Sequence, residues 1–240
     1  MPKLIAFLTF GYLLSNTAVH SQVALPDSIY YRLATTYLED KGSVSTRSLI
    51  YNGVEHVGYF RGIKGTAYLE TDQMVSASVK YDQLWYKLPM LYDLLTDQVI
   101  IKHFDGLYNV ALINDKIDQF FFNGRSFRNF RLDPFDEKLI SGYHEELYSG
   151  NAISVFVKRK KILKEQSTAH GMEREFISIN RFYLLIDSVF HPVKSKSDLL
   201  ALMGDKKKAI ASYIRKNKLK FSNGRELSIL MASKKYDEIP

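Results

Sequence analysis

Three turn dipeptides set nine residues apart, Asp105-Gly106, Asn114-Asp115 and Asn123-Gly124, constrain what this chain can fold into more than any other feature. Each separates short runs rich in β-branched and aromatic residues: Val99-Ile100-Ile101, Val110 to Ile113, and Phe120-Phe121-Phe122. The tight turns of two-residue hairpins require positive φ, which glycine and asparagine tolerate at the lowest cost. The spacing therefore predicts an up-and-down antiparallel meander. Asp82-Gln83 and the Asp93 to Asp97 segment extend it backwards, and Ser149-Gly150-Asn151 extends it forwards by joining Tyr143 to Tyr148 with Ala152 to Lys158. Asn52-Gly53 reads as a further hairpin turn, with Gly62 and Gly65 bracketing another. After a polar loop over residues 165–173, a last hairpin pairs Phe176 to Leu185 with Val189 to Val193 around Asp187-Ser188.

Several of these strands are apolar on both faces. Around Phe120, one face carries Ile117, Gln119 and Phe121 and the other Asp118, Phe120 and Phe122. A sheet wet on one side alternates more cleanly. Its second face must therefore be covered by helices, by closure of the sheet on itself, or by a ligand. Asp27 to Asp40 reads as a helix with Ile29, Leu33 and Tyr37 on one stripe, and the pattern returns to helical after Lys194. There Ser197 is the expected cap of a helix over Asp198 to Met203, Gly204 stops it, Asp205 opens a second, and Arg225 to Lys235 forms a third. The expected class is α+β: a curved antiparallel β-meander, up to a half-barrel, with an N-terminal helix and C-terminal basic helices. Residues 22–240 read as one domain, β-rich over 47–193 with a helical tail over 197–235.

Compartment is read from the first residues. Lys3, the apolar run Leu4 to Leu14 and the polar stretch Ser15 to Ser21 have the layout of a secretory signal peptide cleaved after Ser21. The run is well short of the roughly 20 apolar residues of a membrane-spanning helix. No cysteine occurs, so the exported body needs no disulfide framework, and a periplasm or release from the cell is expected. The net charge of +7 is unevenly placed: residues 22–157 carry −4 and residues 158–240 carry +10.

Catalytic signatures are missing from the sequence. His56, His103, His144, His170 and His191 have no i,i+2 or i,i+4 partner, so no metal ligand set is expected, and His144-Glu145-Glu146 reads as a polar strand edge. There is no Gly-x-Ser-x-Gly elbow and no Ser-x-x-Lys. The densest acidic groups, Asp93 with Asp97 and Asp133 with Asp136 and Glu137, are better explained as turn formers than as a glycosidase pair. Gly58, Gly62 and Gly65 lack the Gly-Lys-Ser/Thr of a phosphate loop, and no cofactor is expected.

One positive feature remains. In the second C-terminal helix, Ile210, Tyr213 and Ile214 form an apolar stripe opposite Lys206, Lys207, Lys208, Arg215 and Lys216. Lys218 and Lys220 continue this cationic face, and Lys158-Arg159-Lys160-Lys161 stands as a second basic run that could join it. Export makes nucleic acid an unsuitable partner. An anionic membrane surface or an acidic envelope protein fits better, against the plainer reading of a solvated helix face.

Tyr86 to Asp97, together with the tail from Ser197-Asp198-Leu199-Leu200 through Asp205 to Lys208 and on to Leu219, is similar to uncharacterised exported β-rich proteins of Gram-negative envelopes. A helix followed by a long meander also resembles, in element order, the half-barrel lipoprotein carriers of the periplasm, whose curved sheet holds acyl chains. The function expected is that of an exported periplasmic binding or interaction protein without catalytic activity. The alternative is a carrier of a lipid or other apolar ligand in the concavity of the sheet, with Phe120, Phe121, Phe122, Phe127 and Phe130 as candidates, and the second alternative is a hydrolase with a dispersed site.

Overall fold

A computed structural model describes residues 49–131, 141–169 and 171–239. The expected helix over 27–40, the signal peptide, His170 and the acidic group Asp133, Asp136 and Glu137 lie outside them. Among the described residues one open antiparallel sheet of eleven strands carries three helices from its C-terminal end. The strands are β1 (Val54–His56), β2 (Val75–Tyr81), β3 (Leu84–Asp93), β4 (Gln98–Lys102), β5 (Asn109–Ala111), β6 (Ile117–Phe122), β7 (Arg125–Phe130), β8 (Gly142–Ser149), β9 (Ser154–Thr168), β10 (Gly171–Ile186) and β11 (Val189–Val193). The helices are α1 (Lys196–Leu202), α2 (Lys207–Lys216) and α3 (Arg225–Glu238). No helix among the described residues is long and apolar enough to cross a membrane.

Most turn dipeptides sit where the sequence puts them, on left-handed backbone: Asp82 and Gln83, Asp97, Gly106, Asn123 and Gly124, and Asp187 and Ser188 all have positive φ. Asn114-Asp115 differs. It forms a 3-10 turn, Asn114–Lys116, rather than a hairpin, and the strand order β1-β5-β4-β3-β2-β6-β7-β8-β9-β10-β11 shows why. The chain runs outward from β2 to β5, then returns to lay β6 beside β2. The meander is thus two meanders back to back. The Asn114 side chain donates to the Asp97 carbonyl (3.0 Å) at the head of β4 and accepts from the Tyr143 hydroxyl (2.9 Å) of β8. Five strand steps separate β4 from β8, about 24 Å in a flat sheet. One side chain touching both requires the sheet to bend.

That bend gathers a core from alternate residues of seven strands, including Val79, Tyr81, Met90, Tyr92, Val99, Ile101, Val110, Phe120, Phe122, Phe127 and Tyr143. The rings interlock, with Phe120 stacked on Phe127 at 4.7 Å and Tyr92 edge-on to both. Ile117 joins this core despite its sequence parity. Lys80 faces Gln119 while Tyr81 faces Ile117, so Asp118 is the extra residue of a bulge that turns Ile117 inward. On the reverse face, Tyr68, Leu91, Ile100 and Ala111 form a smaller cluster.

The second cluster packs Val155, Val157, Phe182, Leu184 and Val193 against Leu199, Met203, Ile210, Ile214, Ile229 and Ala232 of the helices. Ser195, not Ser197, caps α1: its hydroxyl accepts from Asp198 N, and the Asp198 carboxylate accepts from Ser195 N, a closed capping box. The expected polar loop over 165–173 is the tip of a long hairpin arm. Strands β9 and β10 stay paired from Ser154–Leu185 to Thr168–Gly171, with their outer halves exposed on both faces. Polar composition there reflects solvent on both sides, not absence of a strand. The arm is held partway along by backbone hydrogen bonds between Lys64 and both Arg174 and Phe176.

Candidate functional site

Asp93, Asp97, Glu145 and Glu146, four of the acidic residues that stand out in the sequence, are tied into the fold. Asp93 is fully buried and ties its own turn, accepting from Leu95 N (2.8 Å), Thr96 N (3.3 Å) and the Tyr59 hydroxyl (2.5 Å). Burial and that bond raise the Tyr59 phenol above its ordinary value. Asp97 accepts from the Tyr92 hydroxyl (2.6 Å) and from Lys158 Nζ (2.5 Å), clamping the β3–β4 turn to β9. Burial lowers the Lys158 ammonium pKa, with Asp97 working against it, and burial raises Tyr92 well above the usual phenol range. Glu145 is held by Arg159 and Arg125, and Glu146 pairs with Arg128 at 2.9 Å. Each of these four carboxylates is thus held by a hydrogen-bond or ion-pair partner within the fold. The described residues do not bring three or more metal-ligating side chains together.

The basic C-terminal face resolves differently. Lys196, Lys208, Ala211, Ser212, Ile214, Arg215, Lys218, Leu219 and Lys220 line an open groove of about 650 Å³. On α2, positions 208, 211, 212 and 215 share one face by helical spacing, while Ile210 and Ile214 turn inward to the core. The helix then stops and folds back. Lys218 N donates to Arg215 O (3.1 Å) and Leu219 N to Ile214 O (3.0 Å), the paired bonds of a Schellman motif, and Leu219 packs into the same cluster as Ile214. This reversal brings Lys218 and Lys220 to the groove that α1 closes with Lys196.

Electrostatically the groove is one-sided. Five cations line it and no carboxylate does. None of the five has an ion-pair partner among the described residues. Arg215 and Lys218 gain from the negative end of the α2 dipole, but Lys207 and Lys208 sit in its first turn, which holds no acidic residue. Cations there oppose the dipole, at a cost of about 0.3–1 kcal/mol each. Lys218 has φ +53, the left-handed position that helices usually give to glycine. Replacing Lys218 with Gly is expected to stabilise the fold by ~1 kcal/mol, since the side chain no longer strains that backbone. Urea denaturation checks this, and an unchanged or lower midpoint would show that the lysine is not strained there.

Of the cations named from sequence, the groove takes Lys208, Arg215, Lys218 and Lys220. Lys207 and Lys216 are exposed outside its lining. Lys206 is elsewhere: its ammonium donates to Ile239 O (2.6 Å) and lies 4.8 Å over the Tyr236 ring, closing the C-terminal end of α3. The second basic run is largely spent on structure. Lys158 holds Asp97, Arg159 holds Glu145 and Glu226, and Lys161 donates to the Thr66 and Tyr68 carbonyls, each at 2.7 Å. Sequence reasoning missed Lys196 and Ser212. The hydroxyl at i+4 from Lys208 was legible in the helical spacing, whereas Lys196 comes from another helix and left no local signal. Compared with protein families, characterised proteins and solved structures, the chain matches none.

Proposed function

We propose that this is an exported periplasmic interaction protein without catalytic activity, and that the groove between α1, α2 and the segment after α2 holds its anionic partner, a membrane surface or an acidic envelope protein. One observation carries the reading: five unpaired cations line one open groove with no carboxylate in its lining. A face serving solubility alone intersperses both signs. Under this reading the bent sheet is a half-barrel scaffold, and the bulge at Asp118 and the Asn114 bridge hold its curvature.

The packing favours this over the carrier alternative. Phe120, Phe122 and Phe127 are fully buried against one another and against Tyr92 and Tyr143. Phe121 stacks on Trp85 on the other face, and Phe130 packs edge-on to Phe156 and Phe190. The chain's own side chains thus fill the ground a carrier would leave for its ligand.

The test is charge reversal within the groove. Lys208→Glu with Arg215→Glu is expected to weaken binding to polyglutamate or to anionic vesicles by about tenfold or more, since each basic residue near a charged surface contributes on the order of 1 kcal/mol. Lys206 is left untouched because it holds α3. If the unaltered protein binds neither probe, the proposal is wrong.

A further inference from the structure

Resting on that reading of the groove, we infer that its occupant is the phosphate-bearing head group of an anionic membrane lipid. Size points first. A groove of about 650 Å³ has the dimensions of a small-molecule site, within roughly 300–1,000 Å³. An acidic protein partner would need about 800 Å² of surface on each side, and these five cations line one groove of small-molecule size.

Chemistry points the same way. The planar fork of arginine matches carboxylate and phosphate alike, whereas an ammonium is a compact point charge whose three donors turn freely, so lysines from different segments can share one multi-oxygen anion without a fixed fork geometry. Four of the five cations are lysines: Lys196, Lys208, Lys218 and Lys220. They reach the groove from three separate segments, α1, α2 and the turn after α2, so its positive charge is not confined to one helix face. Ser212 adds a hydroxyl that donates to a phosphate oxygen and needs no counter-charge. Ala211 and Leu219 supply apolar surface in the lining, which suits the carbon chain next to a lipid phosphate and serves no purpose toward a free inorganic anion.

Two departures from helix rules also fit. Lys208 is placed against the α2 dipole, and Lys218 occupies a glycine position. Each is locally unfavourable, and each places a lysine in the lining of the groove. Local choices that conflict with the fold are expected where a site imposes them.

The experiment is co-sedimentation of the whole protein with three vesicles: phosphatidylcholine alone, phosphatidylcholine with phosphatidylglycerol, and phosphatidylcholine with oleate at equal surface charge. Soluble polyglutamate and inorganic phosphate are titrated separately. Binding is expected to be tightest with phosphatidylglycerol and to weaken as salt screens it. Lys208→Glu with Arg215→Glu should lower it by roughly tenfold or more, while Lys207→Glu with Lys216→Glu, the same change in net charge outside the lining, should lower it by less than about threefold. If the first pair does not fold, Lys208→Gln with Arg215→Gln carries the comparison. Equal losses in the two pairs would overturn a built head-group site, as would equal binding to oleate and phosphatidylglycerol. Binding of inorganic phosphate without vesicle binding assigns the groove to a free anion and overturns the lipid source. Binding of polyglutamate without vesicle binding rejects the head group yet leaves the anionic-partner reading standing, and binding of no probe rejects both.

Discussion

Replacing Arg159 with alanine will destabilise the protein by about 3–5 kcal/mol, the usual range for breaking one side of a buried ion pair. Its guanidinium joins three elements. From β9 it donates to Glu145 on β8 and, through both terminal nitrogens, to Glu226 on α3 at 3.0 and 3.1 Å. The Arg159 side chain is 10% exposed and that of Glu145 only 6%, so neither rehydrates when its partner is removed. Arg125 is the one remaining cation of this group on Glu145, at 3.3 Å. Glu226 is 40% exposed and will hydrate, so most of the loss falls on Glu145. The magnitude comes from a stranded charge and not from the intrinsic worth of the pair. It follows that Arg159→Met combined with Glu145→Leu should cost less than Arg159→Ala alone, because apolar packing replaces both buried charges. Urea denaturation with an unchanged m-value measures both, and a loss below about 1 kcal/mol for the single variant would show that water reaches Glu145.

The same residue shows where sequence reading reaches its limit. Lys158-Arg159-Lys160-Lys161 reads as a basic run because local composition is all the sequence offers, yet alternate residues on β9 face opposite sides of the sheet and meet different partners. Arg159 faces the helices, and Lys158 faces Asp97. Partners 61 and 67 residues away along the chain leave no local trace. Turn chemistry was legible for the opposite reason: Asp-Gly and Asn-Gly are local statements about φ, so Gly106 and Asn123-Gly124 sit as expected. Asn114-Asp115 satisfies the same local rule, but what it joins depends on which strand lies free beside β2. That is a property of the whole sheet. In the groove, Lys208 and Arg215 follow from helical period, while the reassignment of Lys206 to the end of α3 and the recruitment of Lys196 depend on how helices pack.

Acid will unfold this protein partly through one histidine. His144 is fully buried, with Nδ1 3.0 Å from the Gly142 carbonyl, to which it donates. Its Nε2 has no hydrogen-bond partner among the described residues, and the rings of Phe130 and Tyr183 stand edge-on to it at 5.3 and 5.4 Å. Burial, then the nearby Lys158 ammonium, pushes the imidazole pKa from 6.5 down to about 3. The folded state therefore keeps this ring neutral while the unfolded chain protonates it near pH 6.5. Between those values the unfolded state binds the extra proton, so stability is full above the unfolded pKa and falls as pH drops through the window. The slope approaches 1.4 kcal/mol per pH unit, or about 2–3 kcal/mol between roughly pH 6.5 and 4.5. Carboxylates titrate in the lower part of that range too, which is why the difference between two proteins has to be read. His144→Met keeps the volume and removes the titration, so its stability should fall less steeply with acid than that of the unaltered protein, the gap closing by about 2–3 kcal/mol over that interval even if the variant starts less stable at neutral pH. Parallel curves for the two proteins would mean that protonated His144 is tolerated in the fold, with its Nε2 reaching water and the cluster around Phe130 open to solvent.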